Sequence, residues 1–89
     1  MTTMRAKVRV GSVLPTVQHE GQTTQERLVF HGVPKTGSYP ADGSDEDNTF
    51  AKFSPSVLID LCVANPALIG QFEPGQAYYV DFTPIPPAE

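Results

Sequence analysis

The chain carries one cysteine, Cys62, and no tryptophan. A single thiol excludes an internal disulfide and a cysteine-based zinc cage, and the ordinary reading of Cys62 is a small buried apolar residue. Basic residues are also scarce: six Lys and Arg against ten Asp and Glu leave a formal charge of −4 and a sequence pI near 4.9. That balance opposes nonspecific nucleic-acid binding, which depends on neutralising phosphates. No apolar run approaches the roughly 20 residues needed to span a bilayer, and the opening MTTMRAKVRV lacks the apolar centre of a secretion signal. A soluble protein, intracellular where it is made and without membrane association, is therefore expected. No serine, cysteine or second histidine stands at a recognisable spacing from His31, which leaves nucleophilic and metal roles without support. A non-enzymatic chain that needs no cofactor is the expectation.

What is present is enough for one domain, residues 1–89: hydrophobic residues make up 39% of the chain, although a core this small leaves a modest margin. The most consistent signals lie in residues 57–85. Val57, Ile59, Leu61 and Val63 alternate with Leu58, Asp60, Cys62 and Ala64, which predicts a strand with one buried face. Asn65 can cap a helix and Pro66 suits its first position, so one or two helical turns are predicted near 66–70, closed by a left-handed Gly70. Pro74-Gly75 predicts a tight turn. Tyr78, Val80 and Phe82 then share one face of a strand expected to return beside the first, before Pro84 interrupts its ladder.

Upstream, residues 1–3 read as a loose end. Ala6, Val8 and Val10 form the apolar face of a first strand whose other face carries Arg5, Lys7 and Arg9, the one basic stripe in the chain. Those cations are read either as a solvated or edge-protecting face, or as a contact for an acidic surface or a nucleic-acid backbone. Gly11 can bulge the strand, Pro15 argues against a central position, and His19-Glu20-Gly21-Gln22 reads as a hairpin tip. A second strand is expected from near Glu26, with Leu28 and Phe30 on one face and Val29 and His31 on the other. Residues 34–48, PKTGSYPADGSDEDN, form an acidic loop read as mobile and solubilising, or as a segment that orders on a partner. Its acids do not follow the calcium-loop order, and Phe53 stands where the closing glutamate would fall when counting begins at Asp42. Residues 49–53 regain strand character, and residues 84–89 make a Pro-rich extended tail. These elements predict a mainly β protein: a compact five- or six-stranded barrel or sandwich with one short helix near 66–70.

The segment EDNTFAKFSPSVLIDLCVANPALIGQFEPGQAYYVDFTP resembles the C-terminal half of a family of small proteins encoded by tailed bacteriophages. The shared pattern is an acidic loop before a phenylalanine-containing strand, an Asn-Pro-Ala start, and Pro-Gly followed by Tyr-Tyr-Val-Asp-Phe. MRAKVRVGSV fits the pattern more weakly. The resemblance implies viral origin and brings no catalytic residue. It makes two protein-binding roles sensible, placed in the virion or the bacterial host cytoplasm. One is a minor virion component at the head or head–tail junction, docking on phage structural subunits or on copies of itself through Tyr39, Tyr79 and the chain ends. The other is an early inhibitor of a host defence or nucleic-acid-binding protein, in which the acidic loop from Asp42 to Asp47, with Asp45, Glu46 and Asp47 as its contact residues, imitates nucleic-acid charge or occupies a basic groove. A third reading, a small barrel that binds single-stranded nucleic acid, requires aromatics interleaved with Arg5, Lys7 and Arg9, and none occurs there.

Overall fold

The computed structural model describes residues 3–87. The expected loose Met1 and Thr2, and the last two residues of the Pro-rich tail, lie outside that range. Four strands form one antiparallel sheet: β1 (Met4–His19), β2 (Gln22–Gly32), β3 (Leu58–Val63) and β4 (Ala77–Phe82). Their order across the sheet is β3-β2-β1-β4. The protein is mainly β as its alternation predicts, but the sheet is open where a five- or six-stranded barrel or sandwich was expected.

Ladder registers divide the side chains as the sequence pattern requires. Ala6 faces Val80 and Val8 faces Tyr78 across β1 and β4, while Phe30 faces Ile59 and Leu28 faces Leu61 across β2 and β3. These residues, with Val10 and Val63, define an inner face. Ala6, Val8, Val10, Leu28, Phe30 and Val63 are its buried core, each large member contributing about 1.5–3 kcal/mol through burial. Arg5, Lys7, Arg9, His31, Asp60, Tyr79 and Asp81 fall on the outer face by the same period of two. Cys62 shares that face and is exposed, its Sγ 3.5 Å from Gln25 Oε1, instead of lying in the core. At Gly11 the register slips between Val10 and Ser12, as a bulge does. The His31 ring occupies the room a side chain would need there, since a Cβ at Gly11 would sit 2.5 Å from His31 Cδ2.

Several expectations give way to non-local packing. The strands of the 57–85 unit do not lie side by side: β3 pairs with β2 and β4 pairs with β1, at opposite edges of the sheet. Each edge strand finds a longer partner in the central hairpin than the other edge strand offers. The predicted helix near 66–70 is a pair of turns, with Leu68 N–H donating to Asn65 O and Gln71 N–H to Leu68 O. Asn65 does cap locally, accepting from Ala67 N–H at 3.0 Å. A segment this short must instead span the sheet, and Ile69 and Phe72 drop onto the core as it crosses. Gly70 and Gly75 take the left-handed φ values, 81° and 92°, that the turn signals demand. Residues 49–53 form no strand; Phe53 adopts φ 62° and its N–H donates to Gly43 O at 2.8 Å.

The central hairpin is longer than expected, because β2 begins at Gln22 and not near Glu26. Glu20 and Gly21 have φ of 52° and 80°, the double positive φ of a two-residue type I′ turn. β4 pairs with β1 only as far as Arg9, and β3 pairs with β2 only from Glu26. Beyond Arg9, residues 12–15 remain in a three-stranded stretch with β2 and β3, and only residues 16–25 continue as a two-stranded ribbon, braced by Thr24 Oγ1–H donating to Val17 O. The molecule is accordingly elongated and thin, 55 × 38 × 16 Å, with a radius of gyration of 16.0 Å. A compact chain of this length has a radius of about 12 Å.

Candidate functional site

The acidic loop is built around a buried polar pair. Asn48 is fully buried and Asp45 nearly so. β2 ends at Gly32, which leaves the edge of β1 bare below Val8, and the loop fills that vacancy. Lys7 N–H donates to Asn48 Oδ1 at 2.8 Å, Asn48 Nδ2 donates to Val33 O at 2.8 Å, and Thr49 N–H donates to Arg5 O at 2.9 Å. Asn48 thus substitutes for a missing strand residue, answering backbone groups that would otherwise be orphaned. Asp45 holds the turn from beneath by accepting from Lys35 N–H, Asp47 N–H, Asn48 N–H and Asn48 Nδ2. Burial pushes its carboxyl up, but these donors outweigh burial and hold it below the usual carboxylate range. Asp42 is lowered in the same sense by the Ser44 backbone N–H.

Above this pair the outer face gathers several residues marked by the sequence. Arg5 bridges Asp81 at 2.7 Å, and its guanidinium carbon stands 4.4 Å from the centre of the Tyr79 ring. The Tyr79 hydroxyl donates to Asp47 Oδ1 at 2.9 Å, and Lys7 Nζ lies 3.6 Å from Asp47 Oδ2. The chain Asp81–Arg5–Tyr79–Asp47–Lys7 therefore joins β4, β1 and the loop in one network. The hydrogen bond to Asp47 and that carboxylate's charge raise the Tyr79 phenol above its ordinary value, while the hydrogen bond from Arg5 lowers Asp81. Arg27 and Asp60 make an equivalent cross-strand pair between β2 and β3.

Of the remaining sequence-marked residues, Arg9 is exposed on the outer face opposite His31 and Ala77. Glu46 is exposed and lies 3.6 Å from Lys35 Nζ. Tyr39 is half-buried, its ring 5.8 Å from that of Phe53 and its hydroxyl donating to Asp45 Oδ2 at 3.4 Å. Arg5, Lys7, Asp47 and Tyr79 are thus brought together; Asp45 is buried beneath them, and Arg9 stands apart. A shallow depression of about 500 Å³ opens beside the loop, bordered by Ser44, Glu46, Thr49 and Lys52. Its groups can exchange hydrogen bonds and charge with a partner, and no histidine or cysteine lines it. Among the described residues, no three His, Cys, Asp or Glu side chains form a group able to hold a metal ion.

Two features of the surface were not marked by the sequence. One is the projecting ribbon, with Val17 exposed on it and Leu14 exposed at its base. The other is an open groove of about 260 Å³ on the inner face, lined by Phe30, Ile59, Leu61, Phe72, Tyr78 and Val80 with Tyr79 at its margin. Phe30, Phe72 and Tyr78 form its floor, with ring centres 5.5–6.3 Å apart. Alternation in β3 and β4 places these side chains on one face, but only the path of the crossing loop leaves them uncovered. Comparison with family models, curated proteins and solved structures finds no match for this chain.

Proposed function

We propose that this chain is a non-enzymatic assembly subunit of a tailed-phage virion, a minor component at the head or head–tail junction. The observation that carries this reading is the two-stranded ribbon of residues 16–25, which leaves the sheet with Val17 exposed on it and Leu14 exposed at its base. A two-stranded arm with no second layer is marginal by itself, and its exposed apolar residues gain burial when it lies against a neighbouring subunit. The ordering cost of such docking is reduced because a type I′ tip and strand pairing up to His19↔Gln22, interrupted by register shifts at Pro15/Val17 and Val17/Gln18, already hold the arm. The acidic loop supports docking more than charge imitation. Asp45 is buried, Asp47 is held by Lys7 and Tyr79, and Glu46 lies beside Lys35, so few of its acids are available to a basic groove.

Mass spectrometry of purified particles tests the reading. The protein is expected at a fixed copy number per particle, and Leu14→Asp with Val17→Asp is expected to reduce incorporation at least about tenfold while the isolated protein keeps its strand signal, as loss of a buried apolar anchor does. Absence of the unmodified protein from intact, infectious particles would refute it.

A further inference from the structure

We infer that a second copy of this chain covers the open groove on the inner face, sheet against sheet, across a two-fold axis. The inference rests on the assembly reading in taking protein as the ligand, and it names which protein.

A stable domain encloses its core between two layers, and stacked sheets stand about 10 Å apart. Here one sheet and one crossing loop make a body only 16 Å thick. Ile69 and Phe72 cover part of the inner face, but Leu61, Phe82 and Met4 remain 41%, 43% and 39% exposed on that same face. The chain exposes 6222 Å², whereas a folded monomer of 9.6 kDa exposes about 5,100 Å². The excess of about 1,100 Å² exceeds the roughly 800 Å² that each partner loses in an interface of standard size.

Self-association fits better than a foreign partner for two reasons of shape and charge. An isologous interface needs projection and recess on the same patch. The crossing loop supplies both, because Phe72 lines the groove while Leu68, four residues earlier, projects with 44% exposure. Two copies of a chain with net charge −4 also repel unless their acids are kept apart. The outer face carries the Arg5–Asp81, Lys7–Asp47 and Arg27–Asp60 pairs, whereas no charged side chain lines the groove. Apposing the two grooves therefore brings apolar lining against apolar lining.

Leu61 and Leu58 make a matched test, since both are exposed on β3 but point to opposite faces. Sedimentation velocity and light scattering on the full chain, from about 1 to 200 µM, are expected to give roughly twice the 9.6 kDa chain mass. Leu61→Asp should weaken the dimer at least about 100-fold by placing a charge in a desolvated interface, and Phe82→Asp on β4 should act in the same direction. Leu58→Asp should change it by less than about threefold, as expected for a surface position. Circular dichroism establishes that each variant keeps its strand signal; should Leu61→Asp lose it, Phe82→Asp decides. A monomer at every concentration, or equal weakening by Leu58→Asp and Leu61→Asp, would overturn the inference. A monomer that is nevertheless found in particles refutes self-association alone. A dimer absent from particles refutes the assembly reading alone.

Discussion

Replacing Asn48 with alanine isolates the interaction that joins the acidic loop to the sheet. The buried amide makes three contacts: it accepts from Lys7 N–H at 2.8 Å, donates to Val33 O at 2.8 Å and donates to Asp45 Oδ2 at 3.1 Å. A neutral hydrogen bond contributes about 1 kcal/mol net and one to a carboxylate about 1.5–3, while a buried partner left unpaired adds its own desolvation cost. The expected loss is about 3–5 kcal/mol, after allowing for water reaching part of the vacated space. Total stability for a chain of 89 residues is about 4–13 kcal/mol, so the variant should lie close to its unfolding transition. Urea unfolding followed by circular dichroism reads the loss directly, and amide hydrogen exchange at Lys7 should accelerate because its acceptor is gone. Asn48→Asp should be at least as damaging at neutral pH, because an oxygen then faces both Val33 O and the Asp45 carboxylate. Its deficit should shrink as the pH falls and the introduced acid is protonated. A loss below about 1 kcal/mol in Asn48→Ala, with Lys7 exchange unchanged, would refute the view that this amide stands in for a strand.

Further tests address the loop and the outer-face network. Asp45 has a folded-state pKa below its unfolded value, so its stabilisation is present above the unfolded value and is lost as the pH falls through the folded one. The urea midpoint should therefore fall with acidification, and Asp45→Asn should flatten that slope without abolishing it, because Asp60 and Asp81 are lowered in the same direction by Arg27 and Arg5; an unchanged slope contradicts the assignment. Ultraviolet titration should find the Tyr79 phenol ionising above the ordinary phenol value, and Asp47→Asn should bring it back toward that value. Gly43→Ala should cost about 1–3 kcal/mol, because φ is 76° and the added methyl meets the Phe53 ring, whereas Gly37→Ala at φ 90° meets nothing within 4 Å and should cost only about 1 kcal/mol of backbone strain. Equal losses at the two positions would remove the packing role assigned to Phe53.

Much of the local structure was legible in residue order. Alternation in MRAKVRV, ERLVFHGV and the residues around Tyr78 determined which side chains face inward, because a strand's period of two is a property of its backbone. Gly70 and Gly75 announced their left-handed turns, because a glycine meets no Cβ penalty there. The basic stripe and Asp47 were also legible as chemistry, although not as partners of one another. Lys7 and Asp47 are 40 positions apart in the chain, and only the packing of the loop against β1 brings them to 3.6 Å.

Tertiary structure decided the rest. Local signals allowed β3 and β4 to pair with each other, yet the central hairpin takes one on each side, since strand order depends on the total apolar surface that distant segments bury together. The same competition turned residues 66–70 from a helix start into turns and drew Asp45 inward from an acidic run that reads as solvated. It also left Leu61 and Phe82 exposed although their strand pattern points them at the core. Periodicity specifies the direction of a side chain; whether anything covers it depends on where the remaining chain must travel to satisfy its own backbone.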